Sequence, residues 1–144
     1  MVEQVLYLLW DIGVNVGHST RSIKEAIVQA NRDMLTKTAL LESRQIAGDA
    51  RLVTAFREQF RAKCVRGHER EYIELRMNDQ AARHAKHQNS VYVHEPDVKR
   101  GCGGLRDYQN LLWMTYFKEG ALSTQHLVGR AWLSQGDRRD LDMA

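Results

Sequence analysis

Cysteine is scarce in this sequence, and its placement indicates neither a disulfide nor a metal. Cys64 and Cys102 are the only two cysteines, they lie far apart, and neither has a partner in a CxxC motif. A disulfide framework needs several cysteine pairs, and a zinc site needs clustered ligands. The sequence therefore predicts neither, and this usage is typical of a protein of the reducing cytoplasm.

Long apolar runs and concentrated charge are also missing. The longest apolar run, Val5 to Trp10, is far shorter than the ~20 residues of a membrane span, and no basic segment precedes it as in a signal peptide. The formal charge is only +3, and the aromatic residues do not alternate with Lys and Arg as on a base-stacking surface. We therefore expect no membrane and no nucleic acid among the partners.

Helical periodicity is what the sequence does contain. With 43% hydrophobic and 27% charged residues among 144, the chain has the balance of one soluble domain. Apolar residues recur at 3.6-residue spacing, which predicts a mainly α-helical, bundle-like fold. Ser19 or Thr20 is the predicted cap of the first periodic helix, and Gly48 and Asp49 are predicted to end the second and begin the third. The predicted helices cover residues 23–30, 34–47, 52–60, 69–87, 105–117 and 124–133.

The N-terminal segment fits two structures. A helix would place Val2, Val5, Leu6 and Leu9 on one face, whereas Leu6 to Trp10 also fits a buried strand ending at Asp11. We predict a short helix that turns into a short strand near Leu9.

Two stretches are too particular for composition to explain, LLWDIGVNVGHSTRS at 8–22 and EPDVKRGCGGLRDYQNLLW at 95–113. Both resemble the bifunctional uridylyltransferase and uridylyl-removing enzymes that modify the PII signalling protein. LLESRQIAGD at 40–49 and QAARHAKH at 80–87 resemble the same family in the same order. The resemblance implies that residues 1–22 are the C-terminal remnant of an α+β nucleotidyltransferase domain. The predicted short strand would belong to the sheet of that domain. Residues 23–144 would form the adjoining helical domain, truncated at its C-terminal end.

The resemblance also implies an activity. Enzymes of this family transfer UMP from UTP to a tyrosine of PII, in the cytoplasm and in nitrogen regulation, with Mg²⁺ or Mn²⁺ as the metal. Their Gly-Gly or Gly-Ser turn and Asp-x-Asp pair have no counterpart before Val2. We therefore expect this chain to be inactive alone and to bind no metal by itself. The alternative function is a helical protein-interaction module without catalysis.

Asp11 is the candidate catalytic and metal-binding residue. It ends an apolar run and stands shortly before Gly13, where the resemblance implies the third carboxylate of a two-metal phosphate-transfer site. The alternative is that Asp11 only terminates a helix or caps a turn.

Ser19, Thr20 and Arg21 are the candidates for nucleotide binding. They form a short polar turn before a predicted helix, where hydroxyls, backbone N–H groups and a guanidinium can contact a phosphate. In the alternative interpretation, Ser19 is an ordinary helix cap and Arg21 a solvated surface residue.

The glycine-rich loop before the helix at 105–117 is either an anion site or a structural element. Its glycines permit close backbone approach, and the helix dipole adds positive potential. We favour the structural role, in which Arg106 pairs with Glu95 or Asp97 and pins the loop onto the helices. The residues concerned are Glu95, Lys99, Gly103, Gly104, Arg106 and Asp107.

Two histidines on the charged helix predicted at 69–87 are conceivable metal ligands. His84 and His87 are three residues apart, but no third ligand is obvious nearby. We interpret both as solvated histidines. Cys102 stands where many members of the family have proline. Cysteine restricts the backbone of the loop less than proline would.

Overall fold

A computed structural model describes residues 2–86 and 97–143, and within these ranges the chain is helical and contains no strand. None of the described helices combines the length and the apolar character needed to cross a bilayer. The helices are α1 (Val2–Asp11), α2 (Ile23–Arg32), α3 (Met34–Leu41), α4 (Ala50–Phe60), a π-helical turn (Arg61–Val65), α5 (Glu69–Lys86), α6 (Leu105–Glu119), α7 (Thr124–Gly129) and α8 (Gln135–Met143).

The core lies where α2, α4, the π-helical turn, α5 and α6 meet. The rings of Tyr72 on α5 and Phe117 on α6 stack with their centroids 3.6 Å apart. The buried Tyr72 hydroxyl is satisfied by the Thr38 hydroxyl of α3 at 2.7 Å. This contact ties α3 to the α5–α6 pair. The buried cluster comprises Ile27, Ala30, Phe60, Cys64, Val65, Tyr72, Trp113 and Phe117.

Ser22, not Ser19 or Thr20, caps α2. Its hydroxyl accepts a hydrogen bond from the backbone N–H of Glu25, and the Glu25 carboxylate accepts from the backbone N–H of Ser22. This reciprocal pair is a capping box, and Glu25 supplies the acidic residue that the motif needs three positions after the cap. The predicted cap was therefore wrong, because neither Ser19 nor Thr20 is placed to begin this helix.

The other helix predictions are confirmed with shifted ends. Asp49 caps α4 by accepting from the backbone N–H of Arg51 at 2.8 Å, as predicted. The helix predicted over 34–47 ends already at Leu41, and α6 extends to Glu119, where Gly120 adopts a left-handed φ of 78°. The helix predicted over 124–133 ends already at Gly129, and α8, which begins at Gln135, was not predicted.

The predicted strand near Leu9 was wrong, because α1 continues through Asp11 and ends in a Schellman motif. The Val14 N–H donates to the Leu9 carbonyl and the Gly13 N–H donates to the Trp10 carbonyl, both at 2.9 Å. This motif requires a residue with positive φ, and Gly13 supplies it at 81°. Leucine and tryptophan are tolerated in helices, so the apolar run did not specify a strand.

Candidate functional site

The carboxylate of Asp107, in the first turn of α6, gathers donors from α5 and from the loop before α6. It accepts hydrogen bonds from Arg83 Nη2 at 2.6 Å and Gln80 Nε2 at 3.0 Å, and His84 Nε2 lies 2.8 Å away. It also accepts from the backbone N–H of Gly103 at 2.8 Å. One side chain therefore fixes the loop, α5 and α6 to one another.

The surrounding hydrogen-bond donors stabilise the negative charge of Asp107. Burial by itself raises the pKa of Asp107, but the hydrogen bonds from Arg83, Gly103 and His84 and the Arg83 charge outweigh burial, so its pKa is lowered below the ordinary value. The carboxylate is accordingly ionised at neutral pH and holds Arg83 as an ion pair.

The glycine-rich loop packs against itself. The backbone N–H of Leu105 donates to the Val98 carbonyl at 3.0 Å. A Cβ at Gly104 would lie 2.7 Å from that same carbonyl oxygen, so only glycine fits there. Gly103 has a left-handed φ of 74°, which aims its N–H at Asp107. These two glycines serve contacts within the chain, which supports the structural interpretation of the loop.

The guanidinium of Arg106 lies 5.3 Å from the centroid of the Trp113 ring. Its predicted pairing with Glu95 or Asp97 stays a prediction, and Asp107 is the residue seen to fix the loop to the helices. Asp97 uses its carboxylate to accept from the backbone N–H groups of Lys99 and Arg100 at 3.0 and 2.8 Å. Lys99 is exposed, and Glu95 lies outside the described residues.

Arg76 is a second arginine that joins α5 to α6, and it is buried. Its side chain is only 3% exposed, and its guanidinium donates to the Asn110 side-chain oxygen on α6. It also lies 4.5 Å from the Trp113 ring centroid and 3.4 Å from Asp79. Burial lowers the pKa of Arg76, and the neighbouring charges of Arg106 and Arg83 lower it further. A guanidinium is not deprotonated in proteins, so Arg76 remains a cation.

A cleft of about 440 Å³ opens beside these residues, between α3, α5, α6 and the loop. We call it the arginine cleft, because four of its lining residues are arginines. Two acidic residues, Glu42 and Asp79, also line it, so positive charges outnumber negative ones by two. The four arginines are Arg76, Arg83, Arg100 and Arg106.

The wall of the arginine cleft is rigid on one side. Trp113 is buried, and its indole N–H donates to the Glu42 carboxylate at 2.7 Å. This bond occupies one acidic group of the lining and joins α6 to the end of α3. The two guanidinium groups over the indole ring add cation–π contacts.

The N-terminal candidates lie elsewhere and do not line the arginine cleft. Asp11 is exposed at the last position of α1. Ser19, Thr20 and Arg21 are exposed and precede the α2 cap. The Glu25 carboxylate accepts from the backbone N–H and the hydroxyl of the cap residue Ser22, so a phosphate at the start of α2 would meet a negative charge.

His84 is not the solvated histidine that the sequence predicted, because its ring contacts Asp107 and only a quarter of its side chain is exposed. His87 lies outside the described residues. In the ranges 2–86 and 97–143, no three His, Cys, Asp or Glu side chains are arranged to hold a metal ion.

Sequence reasoning missed three of the four cleft arginines, namely Arg76, Arg83 and Arg100. One signal was available for Arg76, which follows Tyr72 by four positions and therefore shares its buried helical face. A charged residue on an apolar stripe indicates a buried ionic contact. The other two belong to the cleft only through the tertiary packing of α5 and the loop.

Comparison with known proteins gives a consistent result. The family model described as GlnD PII-uridylyltransferase matches residues 71–144. A "Bifunctional uridylyltransferase/uridylyl-removing enzyme" of Nitrobacter hamburgensis is 40% identical over 90% of the chain, and one of Bradyrhizobium sp. is 41% identical over 90%. A third, of Azospirillum brasilense, is 39% identical over 90%.

The aligned region is a small part of these relatives, since it spans 14% of the length of each. No solved structure matches the chain. The relatives nevertheless match across nine-tenths of this chain, and the family model covers its second half. The chain therefore belongs to the GlnD PII-uridylyltransferase family.

Proposed function

We propose that this chain is a segment of a bifunctional uridylyltransferase/uridylyl-removing enzyme. In that enzyme, UMP would be transferred from UTP to a tyrosine of the PII protein, in cytoplasmic nitrogen regulation, and later removed. The observation that carries the proposal is identity of about 40% over 90% of the chain to enzymes of that name. Because the chain spans 14% of their length, the activity is proposed for the whole protein.

We also propose that residues 1–22 belong to a nucleotidyltransferase domain and residues 23–144 to the adjoining helical domain. Several apolar side chains of the first segment are exposed, among them Tyr7, Leu8 and Ile12. Exposed apolar residues this close together are typical of a surface that packs against another part of a protein. The helices after Ile23, by contrast, build their own buried core.

Asp11 is proposed as one metal-binding carboxylate of the transferase site. It lies at the C-terminal end of α1, where the helix dipole is negative and a cation is favoured. The described residues do not fit a complete site for Mg²⁺ or Mn²⁺, however, because one carboxylate cannot hold the ions of a two-metal centre. Further ligands would have to come from outside the described residues.

Ser19, Thr20 and Arg21 are proposed to approach the nucleotide with their side chains. All three are exposed and take no part in the Ser22–Glu25 cap. A hydroxyl and a guanidinium remain suited to a phosphate oxygen even where the helix N–H groups are occupied.

The role that we propose for the helical part is to brace the site. Asp107, Arg83 and Gly103 hold α5, α6 and the intervening loop in one arrangement. Catalysis by positioned groups loses rate when the supporting elements shift, so a rigid brace is a contribution to catalysis.

A chimeric enzyme tests the proposal. This chain replaces the matching segment of the Azospirillum brasilense relative, and transfer of UMP from UTP to PII is followed by mass spectrometry of PII. We expect activity in the chimera, and a loss of about 100-fold or more in kcat for Asp11→Asn, because removal of a metal ligand weakens transition-state charge stabilisation. The matched control is Asp140→Asn, at an exposed position of α8.

Two results would contradict parts of the proposal. An inactive but folded chimera would favour the alternative, in which this segment is a non-catalytic protein-interaction module. Full activity in Asp11→Asn would remove Asp11 from the metal site without affecting the family membership.

A further inference from the structure

None of the residues proposed to bind metal or nucleotide lines the arginine cleft, and two of its four arginines are buried or nearly so, where a charge is costly. Arg76 is 3% exposed and Arg83 is 12% exposed. Burying like charges beside one another is unfavourable unless acidic groups or a bound anion compensate for them. The acidic groups compensate only in part, because Glu42 and Asp79 line the cleft and Asp107 pairs with Arg83, which sets three carboxylates against four arginines.

Donors in the cleft remain available after the internal contacts are made. A guanidinium carries five N–H donors. The Arg76 guanidinium contacts the Asn110 side-chain oxygen and the Asp79 carboxylate. Arg83 donates to Asp107 and to the Arg100 carbonyl. The accessible donors are those of Arg100, which is exposed, and of half-buried Arg106, whose guanidinium lies near the Trp113 ring.

We infer that the arginine cleft binds an anion with two or more linked phosphate groups, either inorganic polyphosphate or the polyphosphate chain of a nucleotide. Planar guanidinium groups match phosphate oxygens through paired hydrogen bonds. Four of them around one concave space suit a ligand with several charged oxygens better than a single carboxylate. The volume, about 440 Å³, is in the range of small-molecule sites, roughly 300–1,000 Å³.

The cleft is not expected to recognise the nucleobase of a bound nucleotide. Trp113 is the aromatic residue of the lining, and it is buried with two guanidinium groups over its ring. It therefore offers no open surface on which a base could stack. The site is expected to accept polyphosphates irrespective of the nucleoside attached.

This site is independent of the proposed transferase site. Neither Asp11 nor the Ser19–Arg21 turn lines the arginine cleft, and arginine needs no metal to bind phosphate. Binding to the cleft can therefore be measured on the chain itself, in the presence of a chelator.

Isothermal titration calorimetry of the 144-residue chain tests the inference. The probes are sodium pyrophosphate, tripolyphosphate, UTP and ATP, at constant ionic strength with EDTA. We expect saturable binding of at least one inorganic polyphosphate or of both nucleotides, with UTP and ATP within about threefold of each other, since less than ~0.7 kcal/mol of base contact is expected. Binding of the inorganic probes alone would identify free polyphosphate as the ligand, and tighter binding of both nucleotides would identify a nucleotide.

Arginine variants locate the site. Arg100→Gln and Arg106→Gln each remove one charge from the lining and are expected to weaken binding about tenfold, as for the loss of a charge-assisted hydrogen bond. Arg100→Lys keeps the charge and should recover part of the affinity. Arg51→Gln, at an exposed position of α4 outside the cleft, is the matched control and should bind as the parent chain does.

Three results would overturn the inference. They are no saturable binding of any probe, equal weakening by Arg51→Gln and Arg100→Gln, and binding of UTP but not ATP. Circular dichroism of each variant establishes that it is folded. Because the measurement is free of metal, its failure leaves the proposed transferase function untouched, and Asp11→Asn should not alter binding.

Discussion

Arg83 on α5 and Asp107 on α6 form an ion pair with 2.6 Å between Nη2 and Oδ1. The two side chains are 12% and 16% exposed, so this pair is far less screened by solvent than an ordinary surface salt bridge. The same carboxylate accepts the N–H of Gly103 and the same guanidinium donates to the carbonyl of Arg100. The pair therefore sets the position of the loop that forms the rim of the arginine cleft.

Replacing Asp107 by Asn should lower the free energy of unfolding by about 2–4 kcal/mol, because it leaves a nearly buried guanidinium without its counter-ion. Urea denaturation followed by circular dichroism measures the change. Asp140→Asn, on the exposed face of α8, should change it by less than about 0.5 kcal/mol. A loss below about 1 kcal/mol for Asp107→Asn would show that the pair is not a principal fastening of α5 to α6.

The contribution of Asp107 should also depend on pH. The hydrogen bonds and charge around it lower its pKa in the folded state despite burial, whereas in the unfolded chain it should be near the ordinary value of about 3.9. The stabilisation is therefore fully present above the unfolded pKa and is lost as the pH falls through the folded pKa.

The comparison of parent and Asp107→Asn between about pH 2 and 7 measures this dependence. The difference in unfolding free energy should be constant above about pH 5 and shrink below about pH 4. A difference that grows on acidification would mean that the folded-state pKa of Asp107 is raised rather than lowered.

Asn110 should be essential for keeping Arg76 in the core. Asn110 is fully buried and accepts from the Arg76 guanidinium. Leucine has a similar size but no acceptor, so Asn110→Leu should cost about 2–4 kcal/mol of unfolding free energy. The double variant with Arg76→Met should be more stable than the sum of the two single losses, because the charge that Asn110 compensates is then absent. Additive losses would contradict this coupling.

The sequence predicted the helices where apolar periodicity and end signals agreed. Asp49 marked the start of α4 correctly, because a capping carboxylate acts within a few residues. Gly48 was wrongly predicted to end the preceding helix, since α3 ends at Leu41. The segment ending at Asp11 failed because a short apolar run fits either a strand or a helix, and Gly13 decides between them only through its backbone conformation. The cap of α2 failed because three hydroxyl residues precede that helix.

The site was less predictable than the fold. Asp107 and the glycines of its loop were identified from the sequence, but the donor that matters most to Asp107 comes from Arg83, 24 positions earlier. Such a partner is fixed by the packing of α5 on α6, which periodicity does not specify. The same applies to the burial of Arg76 beneath Trp113. Whether Asp11 binds a metal stays a prediction.

A pair of serine variants tests the α2 cap. Ser22→Ala removes the hydroxyl that accepts from Glu25 N–H and should cost about 1 kcal/mol of unfolding free energy. Ser19→Ala is the matched control, because Ser19 is exposed and outside the cap, and should cost less than about 0.5 kcal/mol. Thermal or urea unfolding of both variants gives the comparison, and a larger loss for Ser19→Ala would reinstate the cap predicted from the sequence.

The two cysteines should differ sharply in reactivity. Cys64 is fully buried, its thiol lies 3.8 Å from the Ile27 carbonyl oxygen, and burial raises its pKa despite the nearby charges of Lys37 and Lys63. Since the thiolate is the reactive form, Cys64 should react with a thiol reagent only when the protein opens. Cys102 is half-buried in the glycine-rich loop and should react in the native state.

Labelling with a chromogenic disulfide at about pH 8, close to an ordinary thiol pKa of about 8.5, measures this difference. The native protein should show one fast thiol, and the protein in urea should show two. Cys102→Ser should abolish the fast phase, whereas Cys64→Ser should leave it unchanged and remove the slow one. Fast labelling that persists in Cys102→Ser would place Cys64 within reach of solvent, and the core built around Ile27, Phe60 and Tyr72 would then have to open far more readily than its packing indicates.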